Sequence, residues 1–154
     1  MQTLLVQSCS KSKIEPSEPV PAFELYSGYF YKIIKKAKKE GEFNRSVDIL
    51  ILSAEHGILN PSTEIEHYDR KMDASRAEEL RPEVVADLTR EIESGDYDEV
   101  ILNMGQQYHN ALSGLEENVS VKVESFTGRL GERGSQLKQY IRTPLSAAGQ
   151  TVKN

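Results

Sequence analysis

The sequence predicts an α/β protein: a three-layer α/β/α sandwich around a four-stranded, mainly parallel central sheet. Three observations predict it. Short apolar runs alternate with segments whose apolar residues recur every three or four positions. The runs over 3–7 and 47–53 are apolar almost throughout, as in strands buried on both faces of a parallel sheet. The connections between runs are too long for hairpins, which leaves parallel pairing through crossover helices. The 154 residues suffice for one core. We expect a single domain over 1–142 and a flexible tail over 143–154, where TPLSAAGQTVKN is small and polar.

Residues 3–7 form the first strand, ending in the small and basic stretch Ser8-Cys9-Ser10-Lys11-Ser12-Lys13. Pro16, Pro19 and Pro21 forbid regular helix or a central strand, so 8–21 is a long loop. Phe23, Tyr26, Phe30, Ile33, Ile34 and Ala37 then follow the helical period. Gly28 interrupts it, predicting a turn at 26–28 and a helix ending near Gly41. Lys35, Lys36, Lys38 and Lys39 lie toward its C-terminus, where the dipole favours cations; the run reads as a solvated helix end or as a nucleic-acid patch. The second strand spans 47–53, and a further hairpin or strand is allowed within 61–72.

A long amphipathic segment over 74–93 follows, with Ala77, Leu80, Val84, Val85, Leu88 and Ile92 on one face. Pro82 is expected in the first turn of its main helix, with 79–81 as lead-in. The third strand covers 99–104, a short helix 106–112, and an alternating, half-exposed edge strand 119–124. Residues 126–134 read as a glycine-rich loop and 135–141 as the last helix.

Composition bounds the function. Hydrophobic residues make up 38% and charged residues 28%, ordinary for a soluble protein. The net charge of −5 argues against coating nucleic acid by bulk charge, although a local basic patch is compatible with it. Cys9 is the only cysteine, so no internal disulfide forms and a reducing cytoplasm is the expected compartment. The start MQTLLVQSCS has no basic region preceding an apolar run, and no apolar run is long enough to cross a bilayer. His56, His67, His109 and Cys9 lack metal-ligand spacing, and no cofactor is predicted. The oligomeric state is left open.

In open α/β sheets, ligands bind beyond the carboxyl ends of the strands. Four loops should therefore meet at one rim. The first brings Ser8, Cys9, Ser10, Lys11 and Lys13: a phosphate cradle without the GxxxxGK[ST] pattern, or a solvated loop. Cys9 is a nucleophile there or a small packing residue. The second brings Ser53, Glu55, His56 and Gly57. Glu55 and His56 form an acid–base pair, or else sit in a turn closed by Gly57 at positive φ. The third brings Asn103, which reads a base edge or caps the next helix. The fourth brings Ser125, Thr127 and Arg129. Tyr68 either stacks on a base or anchors its loop.

The run Ile51-Leu52-Ser53-Ala54-Glu55-His56-Gly57-Ile58-Leu59-Asn60-Pro61, continuing to Ile65, Tyr68 and Met72, resembles a motif of the peroxide-stress protein YaaA family. Leu25 to Tyr31 and Asn103 to Tyr108 resemble two further motifs of that family, in the same order. The resemblance implies DNA binding, protection under oxidative stress and an architecture like that of DNA glycosylases. His56 replaces the family's aromatic residue, and Asp69 stands where the family has arginine. The chain is also similar to small stand-alone domains of unknown function. Those share a SCGKxK start, here Ser8 to Lys13, a PAxxLYxGxxF segment, here Pro21 to Phe30, and ILSAxHGLL, here Ile51 to Leu59. Ser8-Cys9-Ser10-Lys11 is similar, more loosely, to a domain of archaeosine synthase, which handles 7-deazaguanine.

These readings converge on nucleobase, nucleotide or nucleic-acid binding. Lys11, Lys13 and Arg129 would hold phosphate; Ser8, Ser10, Tyr26, Gly28, Ser53, Tyr68 and Asn103 would complete the site. Two alternatives are an enzyme acting on a nucleotide or modified base through His56, Glu55 and Cys9, and a non-catalytic small-molecule sensor.

Overall fold

The computed structural model describes residues 2–142; the tail expected over 143–154 falls outside them. Strands β1 (Thr3–Ser8), β3 (Val47–Ser53), β4 (Gly57–Leu59), β6 (Glu99–Asn103) and β7 (Lys122–Ser125) form a mixed sheet in the order β4-β3-β1-β6-β7. A separate antiparallel pair joins β2 (Val20–Pro21) to β5 (Glu64–Ile65). The helices are α1 (Ala22–Leu25), α2 (Tyr29–Lys39), α3 (Ala74–Ser94), α4 (Gln106–Ala111), α5 (Leu115–Asn118) and α6 (Leu130–Ile141).

β1 lies in the middle, parallel to β3 on one side and β6 on the other. The chain thus steps from β1 to β3, then crosses β1 to reach β6. A strand flanked in this way marks the point where connections diverge and a crevice opens over its carboxyl end. The register sets Gln7 opposite Asn103 and Ser8 opposite Leu52.

Side-chain alternation covers both faces of the sheet. Leu4, Val6, Leu50, Leu52, Val100 and Leu102 pack with Leu80, Val84, Leu88 and Ile92 of α3. Leu5 and Ile101 pack with Ile34 and Ala37 of α2 and Leu137 and Ile141 of α6. β1 is buried at every position, including the polar Thr3, Gln7 and Ser8. β7 is an exposed edge strand, as its alternation predicts, and begins at Lys122 rather than 119.

Three expectations are corrected. The sheet has five strands, not four. The chain folds back at Ala54–His56, and β4 pairs antiparallel with β3. Gly57 closes that turn at φ 75°, a left-handed conformation that a Cβ would strain. The second correction is α3, which runs unbroken through Pro82. Pro82 and Glu78 both lie on its exposed face, so water can satisfy the Glu78 carbonyl that loses its partner. The helix starts at Asp73, whose carboxylate accepts from Arg76 N–H at 2.8 Å. Finally, residues 130–134 are helical rather than loop. Gly134 packs directly beneath the Tyr29 ring, where a Cβ would stand 2.3 Å from the phenol oxygen. Among the described residues, no helix is long and apolar enough to cross a membrane.

Candidate functional site

Ser53 ends β3 fully buried. Its hydroxyl accepts the N–H groups of Glu55 at 3.1 Å and His56 at 3.0 Å and so shapes the β3–β4 turn. The same oxygen lies 2.8 Å from the Tyr68 hydroxyl, which lies 2.6 Å from that of Tyr26. These three hydroxyls tie the 61–72 connection to the sheet and to α1. Tyr26 packs on Tyr31 at 5.1 Å between ring centroids, and Tyr31 donates to the Ser8 carbonyl at 3.0 Å. Cys9 is buried; its N–H donates to Leu52 O at 2.9 Å, and its Sγ is 3.1 Å from the Tyr108 hydroxyl. Four tyrosines thus gather around the end of β1. Burial pushes the Tyr26 phenol up to about 12 and raises Tyr31, Tyr68 and Tyr108 well above the usual range.

The loop after β1 is held close to α2. Gly28 N–H donates to Ser10 Oγ at 3.2 Å, and a Cβ on Gly28 would stand 2.6 Å from Ser10 Cβ. Ser10 Oγ in turn donates to Ser12 O at 2.6 Å. Lys13 bridges to Tyr26, and its ammonium sits 4.7 Å from the centroid of the Tyr68 ring.

This loop forms one wall of a cleft of about 550 Å³. Lys11 and Lys13 face Asp69, Arg70, Lys71 and Met72 across it, with Ser10, Cys9 and Tyr108 also lining it. Arg70 is shared with Glu55 at 3.5 Å and Glu79 at 3.7 Å. Among the described residues, Lys11, Lys13 and Lys71 have no carboxylate within 4.0 Å.

Glu55 and His56 line a neighbouring groove of about 590 Å³ with Glu64, Glu66, His67 and Tyr68. The His56 ring meets Tyr68 edge-on at 5.3 Å. Cys9 does not line that groove, so the three residues expected to be catalytic are divided between two cavities. A cavity of about 430 Å³ near Phe23, Phe43 and Ile49 contains none of the expected site residues.

Asn103 is buried and neither faces the lysine cleft nor caps a helix. Its amide donates to Gln7 Oε1 at 2.8 Å across the β1–β6 pair and accepts from Arg133 Nε at 3.1 Å. Arg129 is exposed at the start of α6, where its N–H donates to Glu132 Oε1 at 2.6 Å, and it does not line the lysine cleft. The arginine that reaches the strand ends is Arg133, one turn further on. Reading 130–134 as loop hid it, because only in a helix does position 133 turn inward while 129 stays at the cap. In the run after Ile34, Lys35 donates to Tyr26 O at 2.7 Å and Lys38 lies 4.2 Å from the Phe43 ring centroid, while Lys36 and Lys39 are exposed. Arg76 was also missed. It donates to Ala54 O at 2.7 Å and Glu55 O at 2.9 Å, holding the turn from the α3 side. Among the described residues, no three His, Cys, Asp or Glu side chains are grouped to hold a metal ion.

The central β1, with parallel neighbours on both sides and polar loops over its end, defines a mixed α/β protein whose candidate site lies at the carboxyl rim of the sheet. The chain belongs to the family of unknown function DUF6884, whose model matches residues 4–142. No curated protein matches it. Among solved structures, it is similar to the crystal structure of AF0587, a protein of unknown function, with a TM-score of 0.59 and 17% sequence identity. The match covers 92% of this chain and 45% of that one, so the chain spans less than half the length of that protein. At this identity the likeness is one of fold alone.

Proposed function

We propose that the lysine cleft binds a nucleotide, either free or presented by a nucleic-acid strand. One observation carries the reading: a chain of net charge −5 places Lys11, Lys13 and Lys71, none with a carboxylate within 4.0 Å among the described residues, around a single cleft that Asp69 and the Glu-paired Arg70 also line. Such local segregation of cations suits a phosphate-bearing ligand. The volume of about 550 Å³ suits a mononucleotide better than an extended strand. Tyr108 and Met72 supply apolar surface for a base. The likeness of the 51–72 stretch to YaaA motifs supports the same ligand class.

Isothermal titration with mononucleotides and a short single-stranded oligonucleotide, each at low and high salt, tests this. The expected result is saturable binding that weakens with salt. It should fall by about tenfold or more in a Lys13→Ala/Lys71→Ala variant, the loss of one or two charge-assisted contacts. Absent binding, or an affinity indifferent to both salt and the variant, would overturn it. A second reading, chemistry on the bound nucleotide, draws on the Cys9 thiol in the same cleft, 3.1 Å from the Tyr108 hydroxyl. Turnover that persists in Cys9→Ala would remove the thiol from that role.

A further inference from the structure

Asp69 is the odd group in the lysine cleft. It is the one carboxylate on a wall that Lys11, Lys13, Arg70 and Lys71 also line. Yet among the described residues no lysine, arginine or histidine nitrogen comes within 4.0 Å of it. Arg70, its neighbour in the chain, pairs with Glu55 at 3.5 Å and Glu79 at 3.7 Å instead. Nor does Asp69 cap a helix, because that role at the start of α3 belongs to Asp73.

Its place is nonetheless fixed. Tyr68, immediately before it, is pinned through its hydroxyl to Ser53 at 2.8 Å and to Tyr26 at 2.6 Å. Met72, three residues on, is buried. The Tyr68 ring holds the Lys13 ammonium 4.7 Å from its centroid, and that ammonium also donates to Lys11 O at 3.3 Å. The carboxylate thus follows directly on the residue that seats one of the cleft's lysines.

An acceptor-only group without a partner, set among cations, has few roles toward a phosphate-bearing ligand. It repels the phosphate itself. It can accept from a hydroxyl or an N–H elsewhere on the same molecule. The apolar surface for a base comes from Met72 and Tyr108. Asp69 lies instead on the strip with Arg70 and Lys71, facing Lys11 and Lys13. The part of a nucleotide that joins base to phosphate and carries donors is the sugar. The vicinal 2′- and 3′-hydroxyls of a ribose can bridge the two oxygens of one carboxylate, whereas a deoxyribose offers a single hydroxyl there.

We propose, on the nucleotide reading of the cleft, that Asp69 accepts from the ribose hydroxyls and makes the cleft selective for ribonucleotides over deoxyribonucleotides. The 2′-hydroxyl is the group by which a protein separates the two classes.

Isothermal titration of AMP against dAMP, and of GMP against dGMP, tests this on the wild-type protein, Asp69→Ala and Lys71→Ala. The readout is the ratio of dissociation constants, deoxy over ribo, within each pair. The charge removed with Asp69 shifts both members of a pair alike and cancels in that ratio. In the wild-type protein the ratio should be about tenfold for both bases, the loss of one hydrogen bond to a charged acceptor. Asp69→Ala should bring it to about one. Lys71→Ala should weaken all four ligands and leave the ratio at its wild-type value. With the nucleotides bound, a wild-type ratio of one, a ratio that survives in Asp69→Ala, or a preference that follows the base and not the sugar would each overturn the role of Asp69 while the nucleotide reading stands. Binding of none of the four would remove the free-nucleotide reading, and this proposal with it.

Discussion

Tyr68 shows how one hydroxyl can organise a connection. It bonds to Ser53 and Tyr26 at once, and its ring receives Lys13 on its face and His56 at its edge. Tyr68→Phe leaves two buried hydroxyls short of a partner and should lower stability by about 1–3 kcal/mol. Tyr26→Phe should cost less, because Tyr68 and Ser53 still satisfy one another. Urea unfolding of the two variants measures the difference, and the reverse ranking would sink this account of the network. At this scale the sequence was legible in identity and not in partnership. Ser53, Tyr26 and Tyr68 all stood out, but that they form one chain of hydroxyls depends on tertiary placement 15 and 42 residues apart. Gln7 carried a signal of its own, a lone amide in an apolar strand. Its meaning emerged only with the register that sets it opposite Asn103.

At the scale of elements, α3 offers the sharpest test. Pro82 sits in its ninth position, deep in the helix. Pro82→Ala restores an N–H donor for the Glu78 carbonyl and removes the clash of the ring. The penalty of an interior proline is about 3 kcal/mol, offset in part by about 0.4–1 kcal/mol of lost stiffness in the unfolded chain. We expect a gain of about 2–2.6 kcal/mol in a denaturation midpoint series; a loss would show that Pro82 supports α3 rather than straining it. Proline and glycine also explain what the sequence concealed. Local propensity placed a boundary at Pro82 and a loop over Gly131 and Gly134. Packing decided otherwise, because Pro82 faces water and Gly134 gives Tyr29 its place between α2 and α6. The three-residue β4 was too short to show a period. Elements with long, regular patterns, β1, β3, α2 and β6, were read within a residue or two.

For the whole molecule, the concentration of buried phenols around the end of β1 sets the response to alkali. Tyr26, Tyr31, Tyr68 and Tyr108 all have folded-state pKa values raised by burial, with Tyr26 at about 12. In the unfolded chain each titrates near the ordinary value of about 10. Below pH 10 both states hold the protons and the contribution is fully present. As pH rises from about 10 to 12 the unfolded chain releases protons that the folded one keeps, so stability falls. Each such tyrosine adds about 1.4 kcal/mol per pH unit to the slope. Urea midpoints between pH 8 and 12 should stay level to about pH 9.5 and then drop. Tyr26→Phe should make the drop shallower by one tyrosine's share, and an unchanged slope would contradict the burial of that phenol.

The cations of the cleft come from two sources with different constraints. Lys11 and Lys13 follow the central strand and are tied to Gly28 and Tyr26 through the loop they sit in. Arg70 and Lys71 lie in 66–73, which has neither helix nor strand. Tyr68 fastens one end of their short run and the buried Met72 the other. Between these two pins, residues 69–71 take part in no ladder of the sheet, so replacing them should leave the strand pairing intact. Exchange of these three residues should therefore change the charge of the cleft while leaving its β1 side in place.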